Sequence, residues 1–333
     1  MKFKTKLALA LAALACSASN LVAAQTTLLN ASYDVSREFY KDYNVAFAAH
    51  YKKTTGKDVK IDQSHAGSSA QARAVNDGLD ADVVTMNTTT DVDFLASTGI
   101  VAKDWAKCFP GNASPTSSTM LFLTRNGNPK NIKDWDDLIK PGVQVIVVNP
   151  KTGGNGRMAY LAAWGSVLKK GGTDAQAAEF VAKLFKNVPV LAKGGRDATT
   201  IFLQRNIGDV LVTFESEVLS VDREFGAGKV DAIHPSTSIV AENPVAVVER
   251  TVAKKGTGAL AKAYLDYLYS DEAQEIAAKH ALRPRSAVLL KKYASTFKPI
   301  QLFAVSDYFG SLSEAQKVHF NDGGQFDKLY TVK

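Results

Sequence analysis

Four loops in this chain place small and hydroxyl-bearing residues between a predicted strand and a predicted helix. They are residues 32–36 (SYDVS), 65–69 (HAGSS), 152–156 (TGGNG) and 194–200 (GGRDATT). The first turn of a helix has backbone N–H groups without intrahelical partners and a partial positive charge, so it attracts anions. Glycine lets the backbone approach a ligand closely, and Ser and Thr hydroxyls add donors that can rotate. These residue types indicate a site for a small anion.

A second interpretation of these loops stays open from patterning alone. Ser, Thr, Asp and Gly before a helix are also ordinary N-caps and turn residues. The number of such loops, and their even division between the two halves of the chain, favours the anion site. Nucleotide binding is disfavoured, because residues 152–158 lack the Gly-Lys-Ser/Thr ending of a P-loop and no Gly-x-Gly-x-x-Gly fingerprint is present.

The residue pattern gives little support for catalysis or for a metal site. The chain has five histidines, which are scattered without the paired spacing of a zinc motif. No Gly-x-Ser-x-Gly is present, and Cys108 lies in a Trp/Lys/Pro loop without a visible activating partner. For His65, within one of the four loops, a hydrogen bond that orients the loop is the preferred role. We therefore predict no catalytic residue, no metal and no cofactor.

Two arginines and three tryptophans near these loops allow competing interpretations. Arg157 and Arg196 flank two of the loops, so they either bias the electrostatic field from outside the site or lie on solvated helix faces. For Trp105, Trp135 and Trp164, packing in the core is favoured over stacking on a ligand.

The N-terminus has the pattern of a secretory signal peptide. Lys2, Lys4 and Lys6 precede an apolar run over residues 7–15, and small residues follow up to Ala24. This predicts a signal peptide over residues 1–24, with cleavage after Ala24 and delivery of the mature chain to the periplasm. The apolar run is too short for a membrane-spanning helix, which needs about 20 residues.

Cysteine content and charge narrow the class of protein. Cys16 leaves with the signal peptide unless it carries a lipid anchor, an alternative that stays open. Cys108 is then the single cysteine, so 333 residues with 46% hydrophobic content must fold around a core without a disulfide. The net charge of +7 falls by three to +4 with the signal peptide, and no basic block contains interleaved aromatic residues. Nucleic acid is therefore not an expected partner.

Predicted strands and helices alternate along the chain, as in an open parallel sheet wrapped by helices. The strands are expected at residues 27–31, 59–63, 81–86, 119–124, 143–148, 188–192 and 210–214, and the helices at 36–54, 69–78, 91–97, 156–168, 175–187, 198–204 and 258–269. In doubly wound sheets, ligands bind at the carboxyl edge of the strands. The four loops should therefore face one another across a cleft.

Two breaks in the alternation predict a two-lobed α/β protein. The Ser/Pro/Thr-rich stretch near residues 114–119 and the extended segment 233–246 are expected to cross between lobes. We predict lobe I over residues 25–114 and 236–290, and lobe II over 115–235. Residues 291–333 are expected to form a C-terminal segment that packs over the lobes.

At these loops the chain resembles the periplasmic sulfate- and thiosulfate-binding proteins. The similarity runs in the family's order over nearly the whole mature chain. The matching strings are NASYDVSREFY (30–40), QSHAGSSAQA (63–72), ADVVT (81–85), RNGNPKNIKDWDDL (125–138), NPKTGGNGR (149–157), YLAAWG (160–165), GDVLVTFESEV (208–218) and AKAYLDYLYSDEAQ (261–274).

The resemblance implies a type II periplasmic-binding-protein-like fold, with two doubly wound lobes joined by a hinge and the ligand in the cleft. It implies high-affinity capture of sulfate or thiosulfate through uncharged donors. The anion is expected to meet the backbone of Asp34, the hydroxyl and backbone of Ser68, the backbone of Gly154 and Asn155, and the N–H of Ala198. Every oxygen of a buried dianion must be hydrogen-bonded, and a donor-only site disfavours protonated phosphate.

Three positions depart from the sulfate-type pattern. Gly153 stands where sulfate-type members have Ser, and Phe214 stands where they have Trp, so two ligand-facing positions lose a side-chain donor. Phe at that position is more similar to the thiosulfate-binding branch. Asp197 stands where the family usually has Gly. Its carboxylate either points outwards as a helix N-terminal acid or points inwards as an acceptor.

The resemblance also implies partners, and it leaves other classes open. A monomer is expected to close around the anion and to dock on the permease of an ABC importer that is driven by a separate ATPase. A binding protein for molybdate, phosphate or a small organic acid is the first alternative. An exported hydrolase or transferase acting on sulfate or phosphate esters is the second, although we predict a binding protein rather than an enzyme.

Overall fold

The computed structural model describes residues 26–226 and 228–330. Its strands are β1 Thr26–Tyr33, β2 Val59–Ala66, β3 Val83–Thr85, β4 Thr116–Ser118, β5 Met120–Arg125, β6 Val145–Val148, β7 Leu191–Ala192, β8 Val210–Phe214, β9 Val230–Ile233, β10 Thr237–Ile239, β11 Ala241–Asn243, β12 Val245–Val247, β13 Arg283–Pro284 and β14 Gln301–Phe303. Its α-helices of five residues or more are α1 Arg37–Thr55, α2 Ser68–Asn76, α3 Thr89–Ser97, α4 Gly154–Lys169, α5 Asp174–Lys186, α6 Gly195–Leu203, α7 Glu215–Phe225, α8 Glu249–Lys255, α9 Gly258–Tyr267, α10 Asp271–Lys279, α11 Ala287–Lys292 and α12 Gln325–Leu329.

The first sheet has the strand order β12-β3-β1-β2. β1 pairs in parallel with β2 and β3, and β12 is antiparallel to β3. β3 is apolar and fully buried at Val83 and Val84, as expected of a strand that is covered on both faces. Tyr33 is level with Ala66, so the loops after β1 and β2 begin at the same edge of the sheet.

Aromatic side chains on α1 build much of the first core. Phe39, Tyr43 and Phe47 recur every fourth residue, so they share one face of the helix. The rings of Tyr43 and Phe47 lie edge-on to Tyr264 of α9, with centroid distances of 5.0 and 5.1 Å. This cluster draws its buried residues from 28–113 and 245–282.

The second sheet has the strand order β7-β6-β8-β5-β9. β7, β6 and β8 run parallel, whereas β5 is antiparallel to β8 and β9. Successive side chains of β8 point to opposite faces, so Val210, Val212 and Phe214 belong to one core cluster and Leu211 to another. α4 packs on this sheet and is buried from Gly154 to Ser166.

A third sheet connects the two halves of the chain. β4 lies between β11 and β13 and is antiparallel to both. β4 leads directly into β5 of the second sheet, and β11 leads directly into β12 of the first. The two segments that were expected to cross between lobes therefore pair with each other.

The C-terminal segment contacts both halves of the chain. Lys292 and Tyr293 bond to Glu275 of α10, whereas β14 pairs in parallel with β10. Phe303 and Phe320 are buried in the core of the second sheet. The boundaries assigned to the lobes and to this segment stay predictions.

The three tryptophans are buried, which confirms their expected role in packing. The indole N–H of Trp105 donates to Asp93, that of Trp135 to the carbonyl of Thr237, and that of Trp164 to Asp174.

No helix within the described residues is long and apolar enough to span a membrane. The predicted signal peptide, its cleavage after Ala24 and Cys16 lie outside the described residues.

Candidate anion-binding site

Three helices point toward the cleft with N-termini that lack a side-chain cap. The N-cap residues of α2, α4 and α6 are Gly67, Gly153 and Gly194, and none provides a capping side chain. Some other helices are capped by their N-cap side chains: Thr173 and Ser270 accept hydrogen bonds from the first turns of α5 and α10. The ordinary-cap interpretation therefore does not hold for these three helix starts, whose backbone donors stay available.

The first hydrogen bonds within each of these turns show which N–H groups are used. Ala70, Arg157 and Ala198 donate to the carbonyls of Gly67, Gly153 and Gly194 respectively. The earlier groups of each turn lack such a partner, since no helical carbonyl precedes them. These groups are the N–H of Ser68, Ser69, Gly154, Asn155, Gly156, Gly195 and Asp197. The N–H of Arg196 bonds to the Asp34 side chain.

The starts of these helices converge from the two sheets. A Cβ atom built on Gly194 would lie 3.0 Å from Oδ2 of Asp34 and 4.0 Å from Cα of Gly67. A Cβ built on Gly195 would lie 3.6 Å from Nδ2 of Asn155. The four loops predicted from the sequence therefore meet, two from each sheet, and the halves of the chain are in contact across the cleft.

Glycine is required at Gly154 by this close approach. A Cβ there would lie 2.3 Å from Oδ1 of Asn87 and 2.9 Å from Cγ2 of Thr88. Both residues follow β3, so this contact joins the two sheets. Asn87 and Thr88 form a fifth loop of the same strand–polar–helix pattern, which our sequence analysis did not include.

Asp34 links the first sheet to the start of α6. Its Oδ1 accepts a hydrogen bond from the N–H of Val35 at 3.0 Å, and its Oδ2 accepts from the N–H of Arg196 at 3.3 Å. A carboxylate at a helix N-terminus is favoured by the helix dipole. The Asp34 side chain therefore holds the two loops together, while its backbone is the group that we expect to meet the ligand.

Ser68 is buried in the first turn of α2. Its Oγ accepts a hydrogen bond from the N–H of Asn87 at 3.2 Å. A serine hydroxyl accepts and donates at once, so its proton remains available to a ligand.

Asn155 bonds to β8 at Thr213, the residue before Phe214. Nδ2 of Asn155 donates to Oγ1 of Thr213 at 2.8 Å, and Phe214 is the next residue of β8. The ring of Phe214 is buried in the core cluster of that sheet. Neither Phe214 nor Gly153 has a side-chain hydrogen-bond donor.

The expected ligand contact at the N–H of Ala198 stays a prediction, although this group already has a partner within α6. This N–H donates to the carbonyl of Gly194 at 3.0 Å and so forms the first helical hydrogen bond of α6. The preceding N–H groups are the free ones in such a turn, and that of Arg196 is occupied by Asp34. Gly195 therefore offers a further N–H at the start of α6, close to Asn155.

The carboxylate of Asp197 forms a hydrogen bond within its own loop. Its Oδ2 accepts a hydrogen bond from the N–H of Lys193 at 2.9 Å. This is the behaviour of a helix N-terminal acid, the first of the two orientations considered for this carboxylate.

Arg157 is the functional residue whose placement the sequence left undecided. It is 7% exposed, so a solvated helix-face position is wrong for it. Its guanidinium donates to Oγ of Ser69 and Oγ1 of Thr90, each at 2.9 Å, and lies 3.6 Å from Oδ1 of Asp91. A side chain of α4 therefore reaches the starts of both α2 and α3.

The charged groups around the site are engaged with protein partners. Nη1 of Arg196 lies 3.7 Å from Oε1 of Glu217, which also accepts a hydrogen bond from Thr199. Burial lowers the pKa of His65, although a hydrogen bond with the Tyr33 backbone partly offsets this. The imidazole is therefore neutral at pH 7.

Within the described part of the chain, no group of three or more His, Cys, Asp or Glu residues could hold a metal ion.

Comparison with known proteins gives relatives of nearly full length. The chain is 56% identical over 305 residues to the thiosulfate-binding protein of Pseudomonas aeruginosa, an alignment that covers 91% of this chain and 92% of the relative. It is 50% identical over 314 residues to the sulfate-binding protein of Escherichia coli, covering 94% and 95% respectively. These similarities confirm the resemblance inferred from the motifs.

A solved structure shares the architecture. The sulfate-binding protein SubI from Mycobacterium tuberculosis H37Rv superposes with a TM-score of 0.81 at 29% identity, over 89% of this chain and 100% of that chain. The predicted type II binding-protein fold, α/β with two lobes, is thereby confirmed. The family described as bacterial extracellular solute-binding protein matches residues 35–283. The chain therefore belongs to the bacterial extracellular solute-binding proteins.

Proposed function

We propose that this chain captures sulfate or thiosulfate in the periplasm and delivers it to an ABC importer. The observation that carries the proposal is the meeting of three helix N-termini beside two sheets, each with a glycine N-cap residue that provides no capping side chain. Helix N-termini bind anions through unpaired N–H groups and a partial positive charge. The relatives named for thiosulfate and sulfate binding support the choice of ligand.

The proposed ligand contacts combine backbone and side-chain donors. We assign them to the backbone of Asp34, the hydroxyl and backbone of Ser68, and the N–H groups of Gly154, Asn155 and Ala198. The N–H of Gly195 is a further donor at the start of α6. Gly153 and Phe214 shape the wall of the site without donating from their side chains. Since sulfate carries no proton at neutral pH, backbone N–H and hydroxyl donors satisfy it, whereas protonated phosphate would also need an acceptor for its hydroxyl.

The proposal extends to location and partners. The N-terminal signal peptide would direct the chain to the periplasm, and the closed, loaded monomer would dock on a permease with a separate ATPase. The family description as an extracellular solute-binding protein supports this placement. Binding, rather than turnover, is the proposed activity.

Isothermal titration of the ligand-free protein with sulfate, thiosulfate, molybdate and phosphate tests the proposal. We expect one-to-one binding of sulfate or thiosulfate, with phosphate giving no heat of binding. Preferred binding of phosphate or molybdate would contradict the proposed ligand. Incubation with an aryl sulfate and an aryl phosphate serves as the companion assay, and turnover that is abolished by Ser68→Ala would contradict a pure binding role.

A further inference from the structure

Two buried asparagines face the cleft from opposite sides. Asn87 follows β3 of the first sheet, and Asn155 lies in the first turn of α4 beside the second sheet; they are 4% and 3% exposed. Within the described part of the chain, Oδ1 of each residue is buried without a hydrogen-bond partner. An unpaired buried amide oxygen costs free energy, so two such groups at one cleft call for an explanation.

Both amides lie against the helix starts that we assign to the anion. Oδ1 of Asn87 is 2.3 Å from where a Cβ of Gly154 would be, and Nδ2 of Asn155 is 3.6 Å from where a Cβ of Gly195 would be. The first helix start belongs to α4 and the second to α6. Each asparagine therefore lies within a few ångströms of a proposed backbone donor.

The amide of Asn155 can reverse without losing its present partner. Its Nδ2 now donates to Oγ1 of Thr213 at 2.8 Å. A threonine hydroxyl can also donate, so after a half-turn of the amide Oγ1 would donate to Oδ1 instead. The amide N–H groups would then take the position that the unpaired oxygen occupies now.

We propose that Asn87 and Asn155 are anion-contacting residues that turn their amide N–H groups toward the bound sulfur oxyanion, one from each lobe. This inference rests on the proposed function and adds two side chains to its site. It accounts for the unpaired oxygen of Asn155, which would accept a hydrogen bond from Oγ1 of Thr213 once the amide reverses. It also supplies neutral donors at a site where Gly153 and Phe214 provide none from their side chains.

Asparagine-to-aspartate substitution tests the direction of these hydrogen bonds. Aspartate has the same shape but replaces the amide N–H groups with a negatively charged oxygen. We expect Asn87→Asp and Asn155→Asp each to weaken binding of sulfate and thiosulfate by about a hundredfold or more, since a donor is lost and a like charge is gained. Asn87→Ala and Asn155→Ala should each weaken it by about ten- to a hundredfold, the value of one hydrogen bond to a charged group.

Asn126→Asp is the matched control, because it makes the same charge change at an exposed turn. It should leave the dissociation constants within about threefold of those of the unaltered protein, since an exposed charge is well screened. Thermal unfolding of each variant without ligand establishes that it is folded. Asp variants that bind as tightly as the unaltered protein would overturn this inference but leave the proposed function standing. Ala variants with dissociation constants within about threefold of that of the unaltered protein would do the same. An unaltered protein that binds neither sulfate nor thiosulfate would overturn the proposed function and this inference together.

Discussion

Ser68 lies in the first turn of α2, where it accepts a hydrogen bond from the N–H of Asn87 and keeps a proton to donate. We expect Ser68→Ala to weaken anion binding by roughly 1.5–3 kcal/mol, the contribution of a hydrogen bond to a charged group. Titration of both proteins with the same anion measures the difference.

Ser97→Ala is the control for this substitution, since Ser97 is exposed at the end of α3 and its hydroxyl bonds only to the carbonyl of Phe94. It should bind the anion as the unaltered protein does. Equal affinity of Ser68→Ala and Ser97→Ala would remove Ser68 from the site.

Gly154 lies at a close approach of the two halves of the chain across this cleft. We expect Gly154→Ala to reduce affinity by about 1–3 kcal/mol, because the new methyl group would overlap Asn87 and Thr88 when the lobes are closed. Gly67→Ala is the counterpart: its Cβ would lie at an ordinary 3.7 Å from the Lys193 carbonyl, so the affinity should change little. Titration distinguishes them, and an equal loss in both variants would contradict the steric argument.

Local pattern predicts some residues of the site and misses others. Ser68 and Gly154 are recognisable because their loops place small residues directly before helices. Asn87 was missed although it follows a buried strand in the same way. Burial of Arg157 depends on partners more than sixty residues earlier in the chain, and no local pattern reports it.

At the scale of elements, periodicity located the strands and helices that have strong local signals. β8 has the predicted bounds, and α1 differs from its prediction by one residue at each end. The helix α7 was not predicted. Its first residue, Glu215, is fully buried and paired with Arg283 through hydrogen bonds of 2.6 and 2.9 Å. β4 and β11, the three-residue strands of the third sheet, were not predicted as strands. They are stabilised by pairing with distant segments of the chain, so their own sequence gives little signal.

The C-terminal segment contains a buried histidine, His319, that should make the stability of the folded protein depend on pH. Burial lowers the pKa of His319 from 6.5 to about 4, an effect that Asp174 opposes in part. Between these values the unfolded chain binds a proton that the folded chain does not, so the free energy of unfolding should fall as the pH falls from 6.5 to about 4. The expected contribution is on the order of 1–3 kcal/mol.

Urea unfolding of the unaltered protein and of His319→Phe across this pH range measures that contribution. The unaltered protein should lose more stability than the variant on acidification, because phenylalanine has no proton to gain. Tyr160→Phe removes the hydroxyl 3.1 Å from Nδ1 but keeps the imidazole, so it should retain the steeper dependence. Identical pH dependence in the unaltered protein and His319→Phe would contradict the prediction.

At the scale of the whole molecule, the structure shows the lobes in contact across the cleft. Asp34 bonds to the N–H of Arg196, and the guanidinium of Arg157 is buried against Ser69 and Thr90. We expect the ligand-free protein in solution to populate an open form, and sulfate or thiosulfate to shift it to this closed one. Small-angle scattering should show a smaller radius of gyration with the anion than without it.

Arg157→Met should reduce this compaction, because closure would bury Asp91 without its cationic partner. Lys169→Met is the matched control, as it removes a cation from the exposed end of the same helix. A radius of gyration that is unchanged by saturating anion in the unaltered protein would contradict closure.

The position of the bound anion tests the proposed function most directly. We would crystallise the protein with selenate, a sulfate analogue whose selenium scatters anomalously. We expect one strong anomalous peak within hydrogen-bonding range of Ser68 and of the first turns of α4 and α6. A peak away from these helix starts, or an anion held by lysine or arginine side chains instead, would contradict the proposal.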